Sequence, residues 1–305
     1  MMDRSNAALC ANVRHSVKFV RFETDEGGIQ GGLTDGRRIM SLAGILKADP
    51  GDMIALIEAW NDLHDLIGDL ISFHVPMHRA RLLPPIARPG KIFGIGLNYL
   101  DHASEGGIEA PSEQMWFSLP PTPIGGPFDT IDLPRVSSAL DYEVELVVVI
   151  GKRCRHVTRE RAADAIFGYC VGNDVSVRDW QLKTSQVTLG KIFDGHAPFG
   201  PWITPAADFD PANARIACYV NGEERQSSNT RHMIFDPAAQ VSLLSQAMTL
   251  EPGDILFTGT PSGVGALMEP PDYLKDGDIV RCEIEGLGAI ENVVSPEPAA
   301  LSAAS

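Results

Sequence analysis

Glu143 and Glu145 stand two apart in Asp141-Tyr142-Glu143-Val144-Glu145-Leu146-Val147-Val148-Val149-Ile150-Gly151, a stretch that reads as a buried strand. Side chains alternate along a strand, so the two glutamates leave one face while Val144, Leu146 and Val148 leave the other. Two carboxylates pointing into one space repel unless something positive sits between them, and a hard divalent cation is the natural candidate. The alternative is an edge strand whose acidic face is wet. Asp174, at the end of a second apolar run from Ile166, would complete a three-carboxylate set with open positions for water and substrate. Its other reading is a cap on the next turn.

His102 and Glu105 are three residues apart in a short helical pattern, which places them on one face. A carboxylate beside an imidazole fixes its tautomer and makes it a better base, as water activation requires; the alternative is a surface pair capping a helix. Lys191 is the conspicuous cation of the loop-rich stretch Gly190–Trp202, and a lone lysine is usually a solvated charge. The glycine loop Gly259-Thr260-Pro261-Ser262-Gly263-Val264-Gly265 lacks the Gly-Lys-Ser/Thr ending of a nucleotide P-loop, though its backbone amides could meet an anion. Gly94-x-Gly96 is not a dinucleotide fingerprint, because Tyr99 stands where the last glycine is required.

These residues need elements to hold them. Residues 1–16 read as a polar, unstructured leader. From Val17 to about residue 80, short strands with glycine turns and an amphipathic helical stretch over 52–71 predict a small α+β module. The proline-paired run 81–90 reads as a linker, and residues 91–294 as the domain carrying the acids. Within it, Lys91–Tyr99 reads as a strand running into a glycine-bearing bend, and strands are expected at Ile166–Asp174, Arg215–Asn221, about 254–258 and Ile279–Ile284, with a helical turn after Asp174. Residues 106–135, rich in Gly, Pro and Ser, read as an irregular lid, and 295–305 as a disordered tail.

The composition, 44% hydrophobic and 21% charged with a mean hydropathy of −0.02, is that of an ordinary globular protein. No apolar run approaches a membrane span and the start lacks a secretory signal, so the expectation is a soluble, cytoplasmic protein. A net charge of −15 argues against a nucleic-acid surface. Small molecules or a second copy are the expected partners. The five cysteines are scattered and never in Cys-x-x-Cys spacing, which argues for reduced thiols rather than a disulfide frame or zinc site.

From Arg88 to Val294 the chain resembles the fumarylacetoacetate hydrolase family. The matching pieces are Gly94-Ile95-Gly96-Leu97-Asn98-Tyr99-x-x-His102-x-x-Glu105, Tyr142-Glu143-Val144-Glu145-Leu146, Gly172-Asn173-Asp174-Val175-Ser176-Val177-Arg178-Asp179, Lys191-x-Phe193-Asp194-x-x-x-Pro198-x-Gly200-Pro201-Trp202, and the glycine loop 259–265. Each is modest alone; the ordered set is specific. The resemblance implies a β-rich α+β protein with a mixed β-roll catalytic domain, a homodimer, and Mg²⁺ or Mn²⁺ held by Glu143, Glu145 and Asp174. It also implies that His102, paired with Glu105 on a segment closing over the substrate, activates water, and that Arg178, Gln181, Lys191 and Thr260 line the substrate site. One departure stands out: where the family commonly carries Phe-x-Lys-Pro, this chain has Phe117-Ser118-Leu119-Pro120.

The leading expectation is hydrolysis of a carbon–carbon bond in a 1,3-dicarbonyl compound, a 2,4-dioxo acid of the acylpyruvate or fumarylpyruvate kind. The cation would act as Lewis acid, His102 as base, and Lys191 as added positive charge where an oxyanion or enolate develops. A decarboxylase or dehydratase of a small 2-oxo acid such as oxaloacetate would use the same residues. A non-catalytic oxo-acid binding protein is the third reading, and with Leu119 in place of lysine the protein either takes its positive charge from elsewhere or prefers a more apolar substrate end.

Overall fold

The computed structural model describes residues 17–24, 28–43, 49–67, 72–107 and 109–299. The expected leader, residues 1–16, lies outside them, as do residues 68–71 of the amphipathic stretch. Earlier in that stretch lies the helix Met53–Ile67, whose start is capped by Asp52 Oδ1 accepting the amides of Ile54 and Ala55. Among the described residues no helix is long and apolar enough to cross a membrane.

The fold is β-rich, as expected. Its centre is the strand Val144–Ile150, paired antiparallel with Ile166–Asn173 on one side and Ile255–Phe257 on the other. The wet-edge alternative is thereby excluded: every residue of this strand is buried. Beyond Ile255–Phe257, Ile92–Gly96 runs parallel, and Met115–Leu119 forms the edge. On the other side Ala197–Pro205 follows Ile166–Asn173. Lys18–Thr24 joins Ala197–Pro205 through Phe19 opposite Ile203, and Ile29–Thr34, Arg38–Ser41 and Val75–Pro76 extend the sheet.

A second sheet runs Glu223–Asn229, Arg215–Val220, Ile279–Ile284, Gly288–Pro296 and Ile131–Leu133. The central strand divides the apolar interior between two cores, as its alternation requires. Val144, Leu146 and Val148 pack with Ile216, Cys218 and Val280 of the second sheet. Val147 and Val149 pack with Phe19, Leu33, Phe199 and Phe257, and with Met53, Leu56 and Ile57 of the Met53–Ile67 helix. The strands of residues 17–80 therefore share both sheet and core with those after residue 91.

Two expected boundaries fall inside strands. Ala80–Leu83, at the start of the expected linker 81–90, pairs with Lys18–Thr24. The expected tail begins inside Gly288–Pro296, where Ser295 and Pro296 pair in parallel with Asp132 and Leu133, and Arg135 donates to the carbonyls of Glu297 and Pro298. Residues 300–305 lie outside the described residues. Nor is 106–135 irregular throughout: Met115–Leu119, Ile124–Gly125 and Ile131–Leu133 are strands within it. The Gly, Pro and Ser between them masked the short alternation of Met115, Phe117 and Leu119.

Candidate functional site

Strand register brings the acids together. Val144 lies opposite Asn173, so Glu143 and Asp174, one residue beyond each, meet at the open end of that pair, and the Asp174 amide donates to Glu143 O at 2.9 Å. Glu145 projects to the same side, and one ligand oxygen from each of Glu143, Glu145 and Asp174 lies within 4.8 Å of the others. All three are buried. On the neighbouring strand pair, the parallel run of Ile92–Gly96 beside Ile255–Phe257 sends both following loops out at one end. One carries the helix Leu100–Glu105 and the other the glycine loop 259–265. Asn98 ties them, donating Nδ2–H to Thr258 O at 2.7 Å and to Phe235 O at 2.9 Å.

The glycine-loop amides do meet anions, and those anions are the chain's own carboxylates. Gly259 N–H donates to Glu145 Oε2 at 2.7 Å, Gly263 N–H to both oxygens of Glu105 at 3.0 and 3.1 Å, and the amides of Gly265 and Ala266 to Asp141 at 2.8 and 2.9 Å. Gly259 and Gly263 have φ of +95° and +97°, and a side chain on Gly263 would collide with Arg225 O.

Two cations enter the acidic cluster. Lys191 Nζ donates to Glu143 Oε2 at 2.6 Å and to Asp174 Oδ2 at 2.8 Å. Arg178 reaches Glu143 Oε1 through Nη1 at 2.6 Å, Asp141 Oδ2 through Nε at 2.8 Å and Gln181 Oε1 through Nη1 at 3.0 Å. Lys191 is thus no solvated charge. Burial pushes the Glu143 carboxyl up, but Lys191 and Arg178 outweigh it and hold it at about 2. Burial takes Asp174 up to about 6 against the pull of Lys191. Glu145 is pushed well above the carboxylate range by burial and by repulsion from Asp174 and Glu143.

The donor set suits a hard divalent cation. With Asp141, Glu143, Glu145 and Asp174 all ionised against Lys191 and Arg178, two negative charges are left for a bound cation to balance; without one, their repulsion and burial hold the Glu145 proton on. Asp174 Oδ1 is buried without a hydrogen-bond partner, an arrangement that costs free energy unless something positive meets it. All-oxygen carboxylate donors match Mg²⁺ or Mn²⁺ in chemistry.

The remaining expected residues fall as follows. His102 Nδ1 faces Glu105 Oε2 at 3.4 Å, and His102 is close enough to the cluster to help lower Glu143. Gln181 contacts Arg178, whose Nη2 is buried and unpartnered. Thr260 donates its hydroxyl to Val144 O and accepts from Gln226 Nε2, both at 2.9 Å, so the chain itself occupies the group. Leu119 is buried in the core shared with Ile92 and Phe257. Neighbouring Phe117, on the same strand face, has its ring 5.4 Å from Lys191 Nζ.

Asp141 and Gln226 were not singled out from the sequence. Asp141 aligns Arg178 and caps two loop amides, while Gln226 bridges Val144 N–H, Thr260 and Pro261 O. The signal for Asp141 was its place beside Glu143; nothing local marks Gln226, which sits 82 residues from its Val144 partner.

Relatives carry the same architecture. The chain is 44% identical over 273 residues to the fumarylacetoacetate hydrolase domain-containing protein 2 homolog of Dictyostelium discoideum, covering 84% of this chain and 89% of that one. It is 41% identical over 274 residues to a mitochondrial oxaloacetate tautomerase of Rattus norvegicus, covering 88% and 86%. Among solved structures, a maleylpyruvate hydrolase from Sphingobium sp. SYK-6, in complex with manganese(II) and pyruvate, superposes with a TM-score of 0.79 at 33% identity, covering 92% of this chain and all of that one. Residues 91–295, which hold every residue of the acidic cluster, match the family described as fumarylacetoacetate hydrolase C-terminal, and the chain belongs to the fumarylacetoacetate hydrolase family.

Proposed function

We propose that this protein is a Mg²⁺- or Mn²⁺-dependent enzyme that acts on a small 2-oxo acid through an enolate, with keto–enol tautomerisation of an oxaloacetate-like acid as the favoured reaction. The observation that carries the metal-dependent enolate chemistry is the buried Glu143–Glu145–Asp174 set with its unpartnered Asp174 Oδ1. Support for tautomerisation comes from the relative of that name, which aligns with nearly nine-tenths of the chain. A cation held by the three carboxylates would supply Lewis acidity to the oxygens of the 2-oxo acid and so favour the enolate.

The chain's own groups do the rest. His102 has Nδ1 turned to Glu105, which leaves Nε2 to take the proton from the substrate carbon or return it. Lys191 and Arg178 place positive charge beside the forming enolate, and Arg178 Nη2 is a donor still free for a substrate oxygen. A second reading, hydrolysis of the carbon–carbon bond of a 2,4-dioxo acid, is favoured by the His102–Glu105 pair itself. There the same nitrogen would draw a proton from a water attacking the distal carbonyl.

The test is turnover of enol-oxaloacetate, acetylpyruvate and fumarylpyruvate with Mg²⁺ or Mn²⁺ and again with EDTA, following enol absorbance, CO₂ and released carboxylic acid. Metal-dependent loss of enol without CO₂ is expected. Acid released from the acylpyruvates would instead establish the hydrolase reading, and CO₂ from oxaloacetate a decarboxylase. Turnover unaffected by EDTA would remove the metal from the proposal.

A further inference from the structure

The helix that carries His102 is six residues long, and Ala103 is its sole buried residue. Its N-cap, Tyr99, makes no side-chain cap bond, and Leu100 is half exposed. So short a helix has little stability of its own. Asn98 and the buried Tyr99 hold the chain that enters it, and polar anchors at its two ends hold the helix itself. At the C-terminal end Glu105 accepts the Gly263 amide. At the N-terminal end Asp101 Oδ1 accepts the backbone amide of His102 at 2.9 Å, while Oδ2 accepts the hydroxyl of Ser228 at 2.5 Å.

The Ser228 hydroxyl has one hydrogen to donate, and its bond to Asp101 uses it. The contact between Ser228 Oγ and His232 Nδ1, at 3.2 Å, is then one in which the imidazole donates. This assigns the proton of His232 to Nδ1. The order carboxylate–hydroxyl–imidazole, with the hydroxyl in the middle, is the wrong one for a serine nucleophile, whose proton must pass to the imidazole. It is a tether. Its far end is firm: His232 closes the turn Thr230–His232, where Asn229 Oδ1 accepts the Arg231 amide and the buried Thr230 hydroxyl accepts the Ala214 amide.

We infer that Ser228, supported by His232, is a positioning residue for His102, holding it through Asp101 at the distance from the carboxylate cluster that proton transfer needs. The inference rests on the reading of His102 as the proton-transferring group. The Ser228 hydroxyl meets Asp101 and His232 rather than a cluster ligand; it acts on the backbone amide of His102 by way of one carboxylate. Misplacing a reacting group by about an ångström costs up to a hundred-fold in rate.

The test uses the whole chain loaded with Mn²⁺, with Ser228→Ala, Ser228→Thr, His102→Ala and the unaltered protein compared. For S228A we expect kcat to fall about ten- to a hundred-fold with KM and Mn²⁺ affinity unchanged, and amide exchange of residues 100–105 to quicken while that of Val144–Ile150 stays the same. S228T, which keeps the hydroxyl, should recover most of both. Unchanged exchange over 100–105 in S228A would overturn the tether, and quickened exchange with unchanged kcat would overturn the positioning role. H102A turning over like the unaltered protein would instead overturn the reading of His102 on which the inference rests, a failure visible separately from that of Ser228.

Discussion

Lys191 puts an ammonium group, 2% exposed, between Glu143 and Asp174. Burial works against its charge, but the two carboxylates outweigh burial and raise its pKa. Removing one partner of such a buried cluster leaves uncompensated charge, at a typical cost of about 3–5 kcal/mol. Lys191→Met should therefore destabilise the metal-free protein by about that amount, with Mn²⁺ restoring part of it, as read by urea unfolding with and without the ion. A metal-free variant as stable as the parent would show that the ammonium is not the counter-charge of this cluster. His102 is no ligand of the carboxylate set, so His102→Ala should lower kcat roughly 10²–10⁴-fold and leave Mn²⁺ affinity intact. Metal binding lost along with activity would sink the assignment of His102 as base.

The edge strand Met115–Leu119 is the element at which this chain departs from its family's usual lysine. Ile92 lies opposite Leu119 in the pairing, and the leucine side chain is 5% exposed within the core that also holds Ile92 and Phe257. A lysine placed there would bury its ammonium among apolar groups. Leu119→Lys should accordingly lose about 3 kcal/mol or more of stability, seen as a lowered melting temperature, without gaining activity on acylpyruvates. An unchanged melting curve would mean that the longer side chain reaches the carboxylates past Phe117, and the strand would then tolerate the family's residue. The glycine loop shows the opposite economy of design: three of its neighbouring acids are fixed by backbone donors, which no side-chain substitution can remove.

For the molecule as a whole, His196 links stability to pH. Its ring is buried, Nε2–H donates to Asp132 O at 2.7 Å, and Nδ1 is buried without a partner. Burial lowers its pKa to about 4 from 6.5, against the pull of the Asp132 carbonyl. Between those values the unfolded chain binds the proton and the folded one does not, so stability rises with pH across this window. The contribution is fully present above about pH 6.5 and is lost as pH falls towards 4, to the order of 3 kcal/mol. His196→Gln keeps a donor for Asp132 without a titrating ring, and should flatten this part of the stability-against-pH curve measured by denaturant unfolding. An identical slope in the variant would contradict the buried, neutral state of His196.

The sequence alone determined the parts whose rule is local. Period-two alternation placed Glu143 and Glu145 on one face, and spacing of three placed His102 beside Glu105, because a strand and a helical turn fix side-chain direction over a few residues. The end of the Ile166–Asp174 run offered Asp174 as a third carboxylate, and the ordered family motifs supplied Arg178 and the role of Lys191 as companions. Only the tertiary structure decided what those groups do to one another. Register across the Val144–Ile150 and Ile166–Asn173 pair set Asp174 against Glu143, and the parallel pairing of Ile92–Gly96 with Ile255–Phe257 set Glu105 against Gly263. Gln226, Asp101 and Ser228 gained their roles the same way, through hydrogen bonds spanning 82 and 127 residues. Such contacts depend on which chain segments lie side by side, and no local pattern of residue types encodes that; burial and pKa direction at Glu145 and His196 follow from the same packing.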